Sequence, residues 1–208
     1  MVAPELAAIK VEGMSRESFL IRATLAAGAT YGALSATPYI TKALAAGGGF
    51  ANDLAVVNYA LTLEYLESTF YRMGVLVKGL SSDELKLVKQ IRDDEDQHVT
   101  ALIAAAKKLG GKPVAKPKFD FGGAFGDRAT FLKTANTLED AGVSAYNGAG
   151  MYIESPDILG AAGSIVQIEG RHSALIRLTR NKPPAPQAFD KGATMAAILK
   201  KVGPLIKS

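Results

Sequence analysis

The chain has only two histidines, and each stands three residues after a glutamate: Glu95-Asp96-Gln97-His98 and Glu169-Gly170-Arg171-His172. Residues three apart on an α-helix share a face. Each pair can therefore aim one carboxylate oxygen and one imidazole nitrogen at a common point, a donor set that suits a divalent metal ion. Ten residues are glutamate, so by simple counting both histidines would obey this rule by chance with a probability of about 0.002. Two further glutamates keep the register. Glu64 precedes Glu95 by 31 residues and Glu139 precedes Glu169 by 30. The chain thus repeats a glutamate followed by Glu-x-x-His, in halves offset by about 75 residues. A tyrosine lies seven residues after the first glutamate of each half, Tyr71 and Tyr146. Two helical turns put each tyrosine on the face of its glutamate, where it is expected to be a buried residue that hydrogen-bonds a ligand.

Each glutamate interrupts an apolar stripe, such as Val57, Leu61 and Tyr71 around Glu64 or Ile165 and Ile176 around Glu169. A carboxylate buried alone is very costly, and coordination to two cations removes that cost. Glu67, three residues after Glu64 and flanked by Leu63 and Phe70, is the alternative first ligand; the repeat spacing favours Glu64. In the run Asp93-Asp94-Glu95-Asp96, only Glu95 is expected to face inward.

The elements that must carry these residues are four long helices. The first is predicted from a cap at Asn52 or Asp53 to Val77, before Gly79. The second opens on the capping box Ser81-Ser82-Asp83-Glu84 and ends at Leu109, before Gly110-Gly111. Residues 112–126 read as a loop, with two prolines and three glycines. The third follows a cap at Asp127 and runs to about Ile153; the fourth opens at Ser155-Pro156 and runs to about Thr179. Asn181–Pro186 is a stop, and a short helix over about 194–202 closes the chain. No period-2 strand pattern is present. Helices of roughly 23 to 28 residues would be about 35 to 42 Å long, with all four glutamates at one level near the middle. Gly142, Gly148 and Gly150 are costly inside the third helix, and close packing or an open channel would account for them.

One glutamate from each of two helices, with Glu-x-x-His from the other two, resembles the di-iron or di-manganese site of the ferritin-like superfamily. The resemblance covers about residues 50–180. It implies an all-α, ferritin-like four-helix bundle with a long middle crossover. By it, Glu95 and Glu169 would bridge or chelate the metals, Glu64 and Glu139 would be terminal carboxylates, and His98 and His172 terminal nitrogens. The run Pro184–Phe189 and the helix after it resemble a bacterial branch that includes desiccation- and stress-related proteins. The resemblance further implies two metal ions, iron by default or manganese, that react with dioxygen or peroxide as a ferroxidase, peroxidase or catalase. The alternative is a stress-related structural bundle that metal only stabilises. A homodimer or higher homo-oligomer is expected.

The first 46 residues form a separate leader-like or anchoring segment, 47–180 the bundle, and 181–208 the stop and last helix. Residues 15–46 have a basic start, a weakly apolar run and an A-x-A site at Ala43 and Ala45, the layout of a signal segment. Ser15, Arg16, Phe19 and Leu20 resemble a twin-arginine leader in which Glu17 stands for the second arginine. Export to the envelope or outside the cell is the expectation. The alternative is a retained helix that packs on the bundle or associates with a membrane, although Arg22 and Pro38 make it a poor spanning helix.

The bulk numbers set limits. Hydrophobic residues are 48% and charged residues 21%, which fits a folded chain. The formal net charge is +4 and no Lys/Arg stripe interleaves with aromatics, so nucleic acid is not an implied partner. The absence of cysteine excludes disulfides, cysteine-ligated iron–sulfur clusters and thiolate zinc sites.

Overall fold

The structure is a computed structural model that describes residues 49–207; the leader-like motif and the Ala43/Ala45 site lie outside the described residues. Four helices form the bundle: α1 (Asp53–Gly74), α2 (Ser82–Lys108), α3 (Arg128–Ala149) and α4 (Pro156–Thr179). The short α5 (Met195–Val202) packs on α3. The architecture is the all-α bundle expected from the sequence. None of the described helices is long and apolar enough to cross a membrane.

The side chains that the sequence marks as caps start each helix. Asn52 accepts from the Ala55 N–H, Asp127 from Thr130 and Ser155 from Ile158, with Pro156 at the first helical position. Ser81 and Glu84 form a reciprocal capping box, and Arg128 at the start of α3 binds the same Glu84 carboxylate. Gly110 ends α2 in the left-handed region, at φ +73°.

Two helix ends differ from the expected ones. α1 stops at Gly74 rather than Val77, and a Cβ on Gly74 would stand 2.5 Å from the Phe131 ring, so this close packing requires glycine there. The chain then tightens, with Leu76 and Val77 donating to carbonyls three residues back. α3 stops at Ala149 rather than Ile153 and passes through the 3-10 turn Gly150–Tyr152. There the Asp53 carboxylate accepts from the Glu154 and Ser155 N–H groups, both at 2.8 Å, and ties the start of α1 to the start of α4. The loop 112–126 also holds a strand the sequence pattern did not signal. β1 (Lys118–Phe119) pairs antiparallel with β2 (Ile206–Lys207), a ladder too short for any periodicity.

The core has two ends. At one, Phe70 stacks on Phe131 at 5.0 Å and meets Phe121 and Phe125 from the crossover loop at 5.3 and 5.2 Å. The loop therefore plugs this end with aromatic rings. At the other, smaller residues such as Ala60, Leu102 and Ala106 pack with Ile158 and Ile165.

The Asp53 contacts hold two adjacent, part-buried backbone donors 101 and 102 residues away in sequence. Asp53→Ala is expected to lower stability by about 1–3 kcal/mol, read as a lower urea midpoint with unchanged helical circular dichroism.

Candidate metal centre

All four helices contribute a glutamate from their middle turns, and Glu64, Glu95, Glu139 and Glu169 are each fully buried. His98 and His172 are buried beside them, with ring centroids 6.2 Å apart. The structure thus brings together all six residues that the spacing singled out. They form two groups whose donor atoms lie within 4.8 Å of one another: Glu64, Glu95, His98 and Glu169, and Glu95, Glu139, Glu169 and His172. Glu95 and Glu169 belong to both.

His98 Nδ1 lies 3.3 Å from Glu64 Oε2, 3.4 Å from Glu95 Oε2 and 3.2 Å from Glu169 Oε1. His172 Nδ1 lies 3.0 Å from Glu95 Oε1 and 3.6 Å from Glu139 Oε2. Yet these atoms, with Glu169 Oε2, make no hydrogen bond that satisfies them among the described residues. They are close together but aimed at common points rather than at each other. Ligands about 2.1 Å from one ion stand about 3 Å apart at right angles. Buried polar atoms without partners are rare and costly, and cations at these points would satisfy them, so the residues fit metal ions.

The outer contacts fix the orientation of the inner ones. Tyr71 on α1 donates to Glu139 on α3, and Tyr146 on α3 donates to Glu64 on α1 at 2.6 Å. Burial and the neighbouring carboxylate charges push both phenols well above their ordinary range, so both stay protonated donors. His172 Nε2 sits 3.1 Å from Asp94 Oδ2. A proton on Nε2 leaves the Nδ1 lone pair facing the carboxylates, the arrangement that metal-binding histidines use.

Sequence reasoning missed three features. Asp94 was expected to be a solvated acid, but it reaches His172 on another helix. Asp140 binds Ser173 and Arg177, each at 2.6 Å, and clamps α3 to α4 beside the centre. Glu67, the alternative first ligand, is buried together with Glu64. Glu67 stands in the same electrostatic neighbourhood as the four carboxylates but in neither donor group. Its space comes from Gly142, its counterpart in the other half of the repeat. A Cβ there would stand 2.7 Å from Glu169 Oε2 and 3.3 Å from Glu67 Oε1. Close packing also explains Gly148, whose Cβ would lie 1.9 Å from the Ala193 carbonyl oxygen; Gly150 has open space around it.

Without cations, burial raises Glu67, Glu95, Glu139 and Glu169 above the ordinary carboxylate range, and repulsion among them adds to it. Burial opposes the charge on His98, but Glu169, Glu64 and Glu95 outweigh it and raise His98 far above its ordinary value. Burial likewise pushes Glu64 up, yet His98, Glu95 and Tyr146 outweigh it and hold Glu64 below its ordinary value.

Residues 52–182 match the family model described as "Ferritin-like domain". No curated protein matches the chain.

Two outcomes are expected. Raised groups contribute stability that is full below their unfolded values, 4.5 for the glutamates and 6.5 for His98, and lost as pH rises through the folded ones. Glu64 acts in the opposite sense and is outnumbered. The melting temperature of chelator-treated protein should therefore fall from about pH 5 to about pH 8, and a flat or rising profile would contradict this electrostatic account. Gly142→Ala should displace Glu169 and Glu67, cost about 1–3 kcal/mol by overpacking, and weaken metal uptake measured by calorimetry.

Proposed function

The chain belongs to the ferritin-like domain family, and from that premise we propose that it is a di-metal carboxylate protein, binding iron or manganese, that oxidises Fe(II) or reacts with dioxygen or peroxide in stress protection. The observation that carries this reading is the convergence of unpartnered Glu and His atoms in a fully buried site. Charge supports the count of two ions. Glu64, Glu95, Glu139 and Glu169, when ionised, balance two divalent cations, which leaves Glu67 as a neutral acid beside them. When bound, two such ions can supply one electron each, enough with two protons to convert dioxygen to hydrogen peroxide.

The chain's own residues do the rest. Glu95 and Glu169, common to both donor groups, would link the ions. Tyr71 and Tyr146 hold the terminal carboxylates Glu139 and Glu64 through reciprocal hydrogen bonds. Asp94 holds His172 with Nδ1 turned inward. The aromatic plug and the four helices exclude water, so the carboxylates keep their full attraction for cations. In the same reading the chain works in the envelope or outside the cell, in keeping with the leader-like segment, and assembles into homo-oligomers.

Elemental analysis of protein purified without added metal should find two iron or manganese ions per chain. Loading the metal-free protein should release protons, because His98 and the raised glutamates must give theirs up. Calorimetry in buffers of different ionisation enthalpy reads that release. His98→Ala combined with His172→Ala should abolish uptake of two ions and keep the helix content. Retention of both ions by this double variant would refute the site. Bound metal without turnover of Fe(II), dioxygen or peroxide would favour a structural bundle instead.

A further inference from the structure

A cavity of about 30 Å³ lies at the end of the bundle opposite the aromatic plug. Leu63, Leu102, Ala105, Tyr59, Tyr146 and Ala161 are among its lining residues, and its walls are almost wholly apolar. Ala161 on α4 is exposed and Ala105 on α2 is half-buried, so the cavity reaches the surface at the seam between these helices. Its inner wall borders the centre. The Tyr146 hydroxyl donates to Glu64, Leu63 directly precedes Glu64, and Leu102 lies one helical turn beyond His98. The four glutamates themselves are fully buried, so a reactant needs a route such as this one.

The chemistry of the walls selects what can use it. The volume is enough for a water molecule, but a held water needs two to four polar partners. Tyr146 has committed its hydroxyl to Glu64. Tyr59 is 3% exposed and its hydroxyl, without a partner among the described residues, is itself buried and offers the cavity no polar surface. Walls this apolar satisfy neither water nor hydrogen peroxide, and an ion would lose its hydration without replacement. A small apolar diatomic loses nothing comparable. We propose that this cavity admits dioxygen to the centre. This rests on the di-metal reading above and refines it, in that dioxygen rather than peroxide is the oxidant that comes by this route.

Crystals of the metal-free protein under xenon pressure test the cavity apart from any metal chemistry. A xenon atom is expected among Leu63, Leu102 and Tyr146; an ordered water in its place, or no xenon, would overturn the proposal. Ala105→Phe and, at the exposed rim, Ala161→Phe narrow the mouth. With Fe(II) loaded, both should slow dioxygen consumption by about tenfold and leave metal content and the rate with added hydrogen peroxide unchanged. An unchanged dioxygen rate in both variants, or an equal loss with peroxide, would also overturn it. Failure of the unaltered protein to load metal would instead count against the di-metal reading, while the xenon result would still decide the cavity.

Discussion

Four carboxylates held within reach of one another in a dry core are the constraint on which the rest of the structure depends. Like charges at such distances repel strongly wherever water cannot screen them. The arrangement persists only if positive charge or protons compensate, and if the backbone cannot relax to spread the side chains apart. Long, well-capped helices meet the second condition. They fix each glutamate at mid-helix, where fraying at the ends does not reach it. The crossed tyrosine bonds meet it again at the level of side chains: α1 orients the carboxylate of α3, and α3 orients that of α1. The protons on the raised glutamates and on His98 are then placeholders for cations.

The two halves of the repeat are related but not equal. Glu67 has Gly142 as its counterpart, so one half inserts an extra acid into room that the other half vacates. Asp94 supports His172, whereas the corresponding residue opposite His98 is Ile168, with no polar side-chain atom to offer. The two donor groups therefore share Glu95 and Glu169 yet differ in their surroundings. Ions placed in them would feel different fields, a difference that a symmetric site could not provide.

The site was legible in the sequence because its logic is local to helices. Glu-x-x-His declares a shared face by spacing alone, and Asn52, Ser81, Asp127 and Ser155 declare where each face begins. The hidden parts depend on contacts between distant segments. Asp94 looks like any surface acid until α4 brings His172 to it from 78 residues away. Gly142 looks like a helix defect until Glu67 and Glu169 occupy its missing side chain. The ends of α1 and α3 were misplaced for the same reason. Phe131 packs on Gly74 at the end of α1 and Asp53 binds the turn that follows α3, contacts between remote segments of which local propensity carries no trace.

The ends of the bundle then divide two tasks that conflict. Carboxylates bind cations tightly only where water is excluded, but a sealed core admits no reactant. Phe70, Phe121, Phe125 and Phe131 seal one end with large rings. At the other, alanines on α2 and α4 leave a gap that is open but apolar. An apolar gap excludes water by chemistry rather than by closure, because water finds too few partners within it. The core can thus remain dry while one of its ends stays open.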